Sequence, residues 1–102
     1  MLETLYDHLL AVTGSPVVAI NRAVVIANER SVEDGLAALD GVNDDKRMTG
    51  YQPYWAARAD LLARCDRRQE ADAAYERAIL LETDPAICRF LAERRARLGL
   101  VS

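Results

Sequence analysis

The sequence predicts an all-α fold, an antiparallel stack of helix-turn-helix units with about six helices. Apolar residues recur at three- and four-residue steps through most of the chain, with little of the strict alternation of a half-buried strand. Breaks at Gly14, Ser31, the polar stretch 43–50, Asp66 and Thr83 to Pro85 cut this pattern into helix-sized pieces joined by short turns. Shifted by 36 residues, the sequence also aligns with itself. A chain of 102 residues supports one core, so residues 1–102 are expected to form a single domain.

The first helix, 2–12, carries Leu2, Leu5, Tyr6, Leu9 and Val12 on an amphipathic stripe and stops at Gly14. Ser15 and Pro16 start the second: a serine oxygen can accept an orphan N–H, and proline at the first position has none to lose. That helix is apolar nearly all round from Val17 to Ala27, which marks it as central. Ser31 caps a third helix holding Val32, Leu36, Leu39 and Val42, with Glu33 and Asp34 at its positive end. After the loop 43–50, a fourth helix has Pro53 in its first turn and Trp55, Ala59, Leu62 and Cys65 on its inner face. A fifth presents Ala71, Ala74, Tyr75 and Ala78, and a sixth, capped at Thr83-Asp84-Pro85, presents Ile87, Phe90, Leu91 and Leu98.

In the 36-residue shift, Ala19, Arg22, Ala23, Ile26, Gly35, Leu39 and Val42 fall on Trp55, Arg58, Ala59, Leu62, Ala71, Tyr75 and Ala78. Small residues at Ala23/Ala59 and Gly35/Ala71 let the helices of a pair approach, and Ile26/Leu62 and Leu39/Tyr75 fill the space between pairs. The second set matches the large-small-large, Ala-aromatic-Ala spacing of the tetratricopeptide repeat. The first is degenerate, with Ala19 in place of the tryptophan and Val42 in place of the final alanine. The expectation is a tetratricopeptide-like right-handed superhelix with repeats at about 16–42 and 52–82, flanked by helices 2–12 and 85–98.

Composition narrows the function classes. The net charge is −3, and residues 1–51 hold four basic and eight acidic side chains against nine and eight in 52–102, which argues against a nucleic-acid footprint for the whole domain. Cys65 and Cys88 have neither redox-pair nor zinc spacing, and Asp44-Asp45 lacks the further oxygen ligands a metal needs, so no metal or cofactor is expected. His8 is the only histidine, and no nucleophile elbow, phosphate loop or dinucleotide fingerprint is present. The expectation is a non-catalytic protein. The longest apolar stretch is broken by Asn21 and Arg22 and is too short to span a bilayer, giving an expected cytoplasmic location without membrane association.

Arg22 and Arg58 occupy equivalent positions in otherwise apolar helix surroundings. Each must meet carboxylates or carbonyls. Either a neighbouring acid pins it inside the stack, or the pair lines a groove that receives an acidic peptide or another anion. Asn21 and Asn28 share a face of the second helix, and Tyr51, Tyr54 and Trp55 cluster at the start of the fourth, as core or as a binding platform. Arg89, Arg94, Arg95 and Arg97 suit a helix C-terminus and its solvated outer face.

Five segments, in order, resemble the C-terminal extension of a group of extracytoplasmic-function RNA polymerase sigma factors. They are 5–10 (Leu-Tyr-Asp-His-Leu-Leu), 15–24 (Ser-Pro-Val-Val-Ala-Ile-Asn-Arg-Ala-Val), 35–40 (Gly-Leu-Ala-Ala-Leu-Asp), 57–64 (Ala-Arg-Ala-Asp-Leu-Leu-Ala-Arg) and 70–75 with Phe90 and Leu91. The Ser-Pro-Val-Val-Ala-x-Asn-Arg-Ala run is the most specific. The resemblance implies a tetratricopeptide-like module that modulates transcription initiation through protein contacts with sigma regions, polymerase or a regulatory protein. Both upstream sigma regions are absent, so direct DNA binding is not expected, and Gln52 stands where relatives often have histidine. Asn21, Arg22, Tyr51 and Arg58 carry over as candidate site residues, joined by Trp55 from the aromatic cluster. Short stacks commonly pair through uncapped ends, so a homodimer is compatible with this reading. A free-standing helical-repeat adaptor unconnected with transcription is the alternative.

Overall fold

The computed structural model describes residues 2–42 and 46–100, and the Asp44-Asp45 pair lies outside them. The fold is all-α: α1 (Leu2–Thr13), α2 (Pro16–Glu29), α3 (Val32–Val42), a 3-10 turn (Lys46–Met48), α4 (Gln52–Arg64), α5 (Arg68–Leu81) and α6 (Pro85–Ala96). Each helix packs on the next, and α2 also touches α4, so the first helices of successive pairs lie side by side in a stack of 43 × 27 × 23 Å.

Local chemistry sets the boundaries. Gly14 (φ +59°) turns the chain after α1, its N–H donating to the Leu10 carbonyl at 2.8 Å. Ser15 occupies the N-cap of α2 in extended conformation, yet its side chain makes no capping bond. Proline at the first turn starts α2 instead, with the Ser15 carbonyl accepting from Ala19 N–H at 3.1 Å. Ser31 and Asp84 cap as expected, accepting from Asp34 N–H at 3.1 Å and Ala86 N–H at 2.9 Å. Between α4 and α5, Asp66 adopts φ +65° while Asp66 N–H reaches the Ala63 carbonyl and Arg67 N–H the Leu62 carbonyl. These two bonds form a Schellman motif with aspartate in the left-handed position glycine usually takes.

One buried cluster runs through the stack, including Ala23, Leu39, Met48, Tyr54, Ala59, Leu62, Ala71, Tyr75 and Leu91. The pairing of small residues is tightest at α2 and α3. A Cβ on Gly35 would stand 2.6 Å from Ala27 Cβ and 2.8 Å from the Ala23 carbonyl oxygen. The loop expected to be wholly polar turns Met48 inward, where it is almost fully buried.

The end helices depart from expectation. No residue of α1 is buried, and Leu2, Leu5 and Val12 are more than half exposed. Tyr6, Leu9 and Leu10 make its partly covered side, while Arg22 to Asp7 and Arg30 to Glu3 (3.1 Å) tie it to α2. At the other end, Leu91 on α6 and Leu98 just beyond it are buried, but Ile87 and Phe90 on α6 are not. An amphipathic stripe needs a partner to cover it, and each end helix packs chiefly on one neighbour. No helix among the described residues is long and apolar enough to cross a membrane.

Candidate functional site

The repeat register places Arg22 and Arg58 at matching positions in α2 and α4, each reaching back to the preceding helix. Arg22 Nε donates to Asp7 on α1, and Arg58 Nη1 donates to Asp40 on α3 at 2.7 Å. The two side chains are 29% and 23% exposed, so these are rim contacts, and they face different helices instead of one common groove. Arg58 also bonds the hydroxyl of Tyr54, whose phenol burial pushes above its ordinary pKa. Arg22 therefore ties α2 to the flanking α1, and Arg58 ties the α4–α5 pair to the α2–α3 pair. Arg58→Ala is expected to cost about 1 kcal/mol, from the loss of a partly exposed ion pair and of the guanidinium's contact with the phenol. Denaturant titration measures that loss, and a partner-binding defect without any loss of stability would return Arg58 to a groove role.

The aromatic cluster is held from the loop side. Trp55 Nε1 donates to the Thr49 carbonyl at 3.0 Å, the Tyr54 and Trp55 rings meet edge to face at 5.1 Å, and Arg77 lies 5.9 Å over the indole. Arg77 Nη2 shares the Thr49 carbonyl at 3.3 Å. Trp55 and Arg77 thus fasten the loop before α4 to the α4–α5 pair. Tyr51 is half-buried against the core at the N-cap of α4, and Asn21 is exposed on α2. Asn28 on the same helix accepts from Arg64 Nη2 at 3.0 Å, another link from α2 to α4.

Beyond these residues, the structure assembles a second set around the C-terminal arginines, which the spacing predicts on a solvated helix end. Arg95 bonds Asp72 at 2.6 and 3.2 Å and Glu76 at 3.3 Å, and Arg94 bonds Asp60 at 3.0 Å, so both lie against α4 and α5. Hydrogen bonding to Tyr75, with Asp60 nearby, strengthens the Arg94 guanidinium's hold on its proton. The Arg95 contacts hold the Asp72 carboxyl below the usual range. A signal for this is present in the sequence. Arg94 follows Arg58 at the same spacing that separates Arg58 from Arg22, so α6 continues the register of α2 and α4 as the first helix of a further pair.

Fold and site together define a helical stack whose charged clamps lie at the rim between helices and whose end helices keep apolar surface open. No family model matches the chain, and no solved structure does. The chain is similar to an uncharacterized protein of Rhizobium meliloti (strain 1021), 33% identical over 90 residues. The match spans 88% of this chain and 21% of that relative's length.

Proposed function

We propose that this domain is a non-catalytic regulatory protein-interaction module of an extracytoplasmic-function sigma factor, modulating transcription initiation through contacts with sigma regions, polymerase or a regulatory protein. The observation that carries the reading is the ordered set of segments from 5–10 to Phe90 and Leu91, with the Ser15-to-Ala23 run the most specific. Two features support it. The open stripe of Leu2, Leu5 and Val12 on α1 is a surface that a neighbouring protein region would cover. A relative matched over only 21% of its length suits a module within a longer polypeptide.

An immunoblot of the source cells with an antibody raised against the domain is expected to show a band well above 11.3 kDa. The upstream region of that polypeptide, expressed separately, is expected to bind the domain in trans, and Leu5→Asp on α1 to abolish the binding. A band at the mass of the domain alone would put the free-standing adaptor first. A longer polypeptide whose upstream region fails to bind at the highest attainable concentrations would remove the regulatory contact.

A further inference from the structure

Between α4 and α6 the repeat register leaves its core open. Phe90 stands where Tyr54 stands one repeat earlier, and Ala56 stands where Ile20 does. Tyr54 and Ile20 are 0% and 5% exposed, whereas Phe90 is 56% exposed. Two causes are visible. Ala56 is several atoms shorter than isoleucine, and the loop that brings Met48 into the Tyr54 cluster has no counterpart ahead of α6, where the link is only Glu82, Thr83 and Asp84. A pocket of about 280 Å³ results, walled by Ala56, Phe90 and Leu91 and bounded by Asp60, Tyr75 and Arg94.

Tyr75 and Arg94 are also a wall of a second pocket, of about 350 Å³, lined further by Arg68, Arg97, Asp66 and Leu98. Three guanidiniums face one carboxylate there, inverting the sign of a chain whose net charge is −3. Arg94 is fixed in place by Asp60 and Tyr75 and lies 5.8 Å over the Phe90 ring. Arg68 is held by Asp66 at 2.8 Å, while the Arg97 guanidinium, at the C-cap of α6, has no hydrogen-bond or ion-pair partner among the described residues. An apolar recess thus adjoins a cationic one, with a preorganised arginine at their junction.

We infer that this double pocket binds a peptide segment of a partner protein in which an apolar side chain is followed by aspartate or glutamate. The apolar side chain enters against Ala56, Phe90 and Leu91, and the carboxylates meet Arg94, Arg97 and Arg68. Charge complementarity selects the acidic occupant, and the apolar recess selects a peptide over a nucleic-acid backbone. Any partner displaying such a segment satisfies these requirements, so the pocket's role stands or falls separately from the sigma-factor reading.

Fluorescence anisotropy tests it with the purified domain and a panel of labelled peptides, each carrying one Leu or Phe beside two to four Asp or Glu at helical or extended spacing. Lysine-for-acid counterparts and a labelled single-stranded oligonucleotide complete the set. Acidic peptides are expected to bind, more weakly as salt rises. Arg97→Glu and Phe90→Ala, both at exposed positions, should each weaken binding about tenfold or more with the helical circular dichroism unchanged. Amide shifts on titration should centre on Ala56, Phe90 and Arg94. The inference is overturned if no acidic peptide outperforms its lysine counterpart, if Arg97→Glu leaves affinity unchanged, or if the oligonucleotide binds more tightly than every peptide.

Discussion

Tyr54→Ala is expected to cost about 3–5 kcal/mol, because it truncates the largest fully buried side chain of the described core. Tyr54 sits in the cluster that joins α3, the 3-10 turn and α4, and its ring meets Trp55 edge to face. Removing it leaves a cavity in the cluster that holds Leu39 and Met48 and withdraws the hydroxyl that Arg58 bonds. For a domain of this size total stability is about 5–15 kcal/mol, so a melting-temperature fall of roughly 15 °C or more is expected. Tyr54→Phe separates the contributions: it keeps the ring and removes the hydroxyl with its hydrogen bonding, the Arg58 contact included, for about 1 kcal/mol. The single tryptophan, in contact with the Tyr54 ring, provides the fluorescence readout in a denaturant titration. A Tyr54→Ala loss below about 1 kcal/mol would mean that this cluster does not hold the two repeats together.

Gly35→Ala is expected to destabilise although alanine is the better helix former. Intrinsic propensity favours the substitution by up to about 1 kcal/mol. Against it, the new methyl would sit within 3 Å of Ala27 Cβ and the Ala23 carbonyl oxygen, neither of which can swing away, so α2 and α3 must separate. Overpacking of this kind costs about 1–3 kcal/mol and here adds to the loss of the contacts between the pair, so a net loss of about 2 kcal/mol and a fall of about 10 °C are expected. Gly41→Ala is the control of opposite sign. It lies in the same helix with nothing within 4 Å of the added carbon, so only propensity acts and stability should rise slightly. Equal melting temperatures for the two variants would show that the α2–α3 spacing is not set by the glycine.

Much of the helical framework is legible because it depends on neighbours in sequence. Periodicity assigns Ala71, Ala74, Tyr75 and Ala78 to one face of α5, and all four are buried. Ser31 and Asp84 cap helices that begin within a residue of them, because a capping bond spans only two or three residues. Ser15 shows the limit: the chain turns there as expected, but proline and backbone bonds suffice without the hydroxyl. Asp66 replaces a glycine in a left-handed turn, a substitution visible in the spacing, which does not show that the Schellman bonds survive it.

The candidate site is less legible, because its contacts join residues far apart in the chain. Arg22, Arg58 and Arg94 look alike in the repeat register, yet they engage Asp7, Asp40 and Asp60, each set by how one helix lies on another. The α6 stripe reads as an inner face from its spacing. Spacing reports which side of a helix is apolar but not whether the chain supplies anything to cover it.

The six α-helices of the described residues, their order, and the small-residue pairing that lets successive helices approach all follow from local pattern, because periodicity, caps and side-chain size act over one or two turns. Three outcomes needed the assembled stack: Arg58 is a clamp, Phe90 lies open beside a cationic pocket, and α1 leaves its stripe uncovered. They depend on distances between helices and on whether a neighbour exists to remove a side chain from water, which no local pattern encodes.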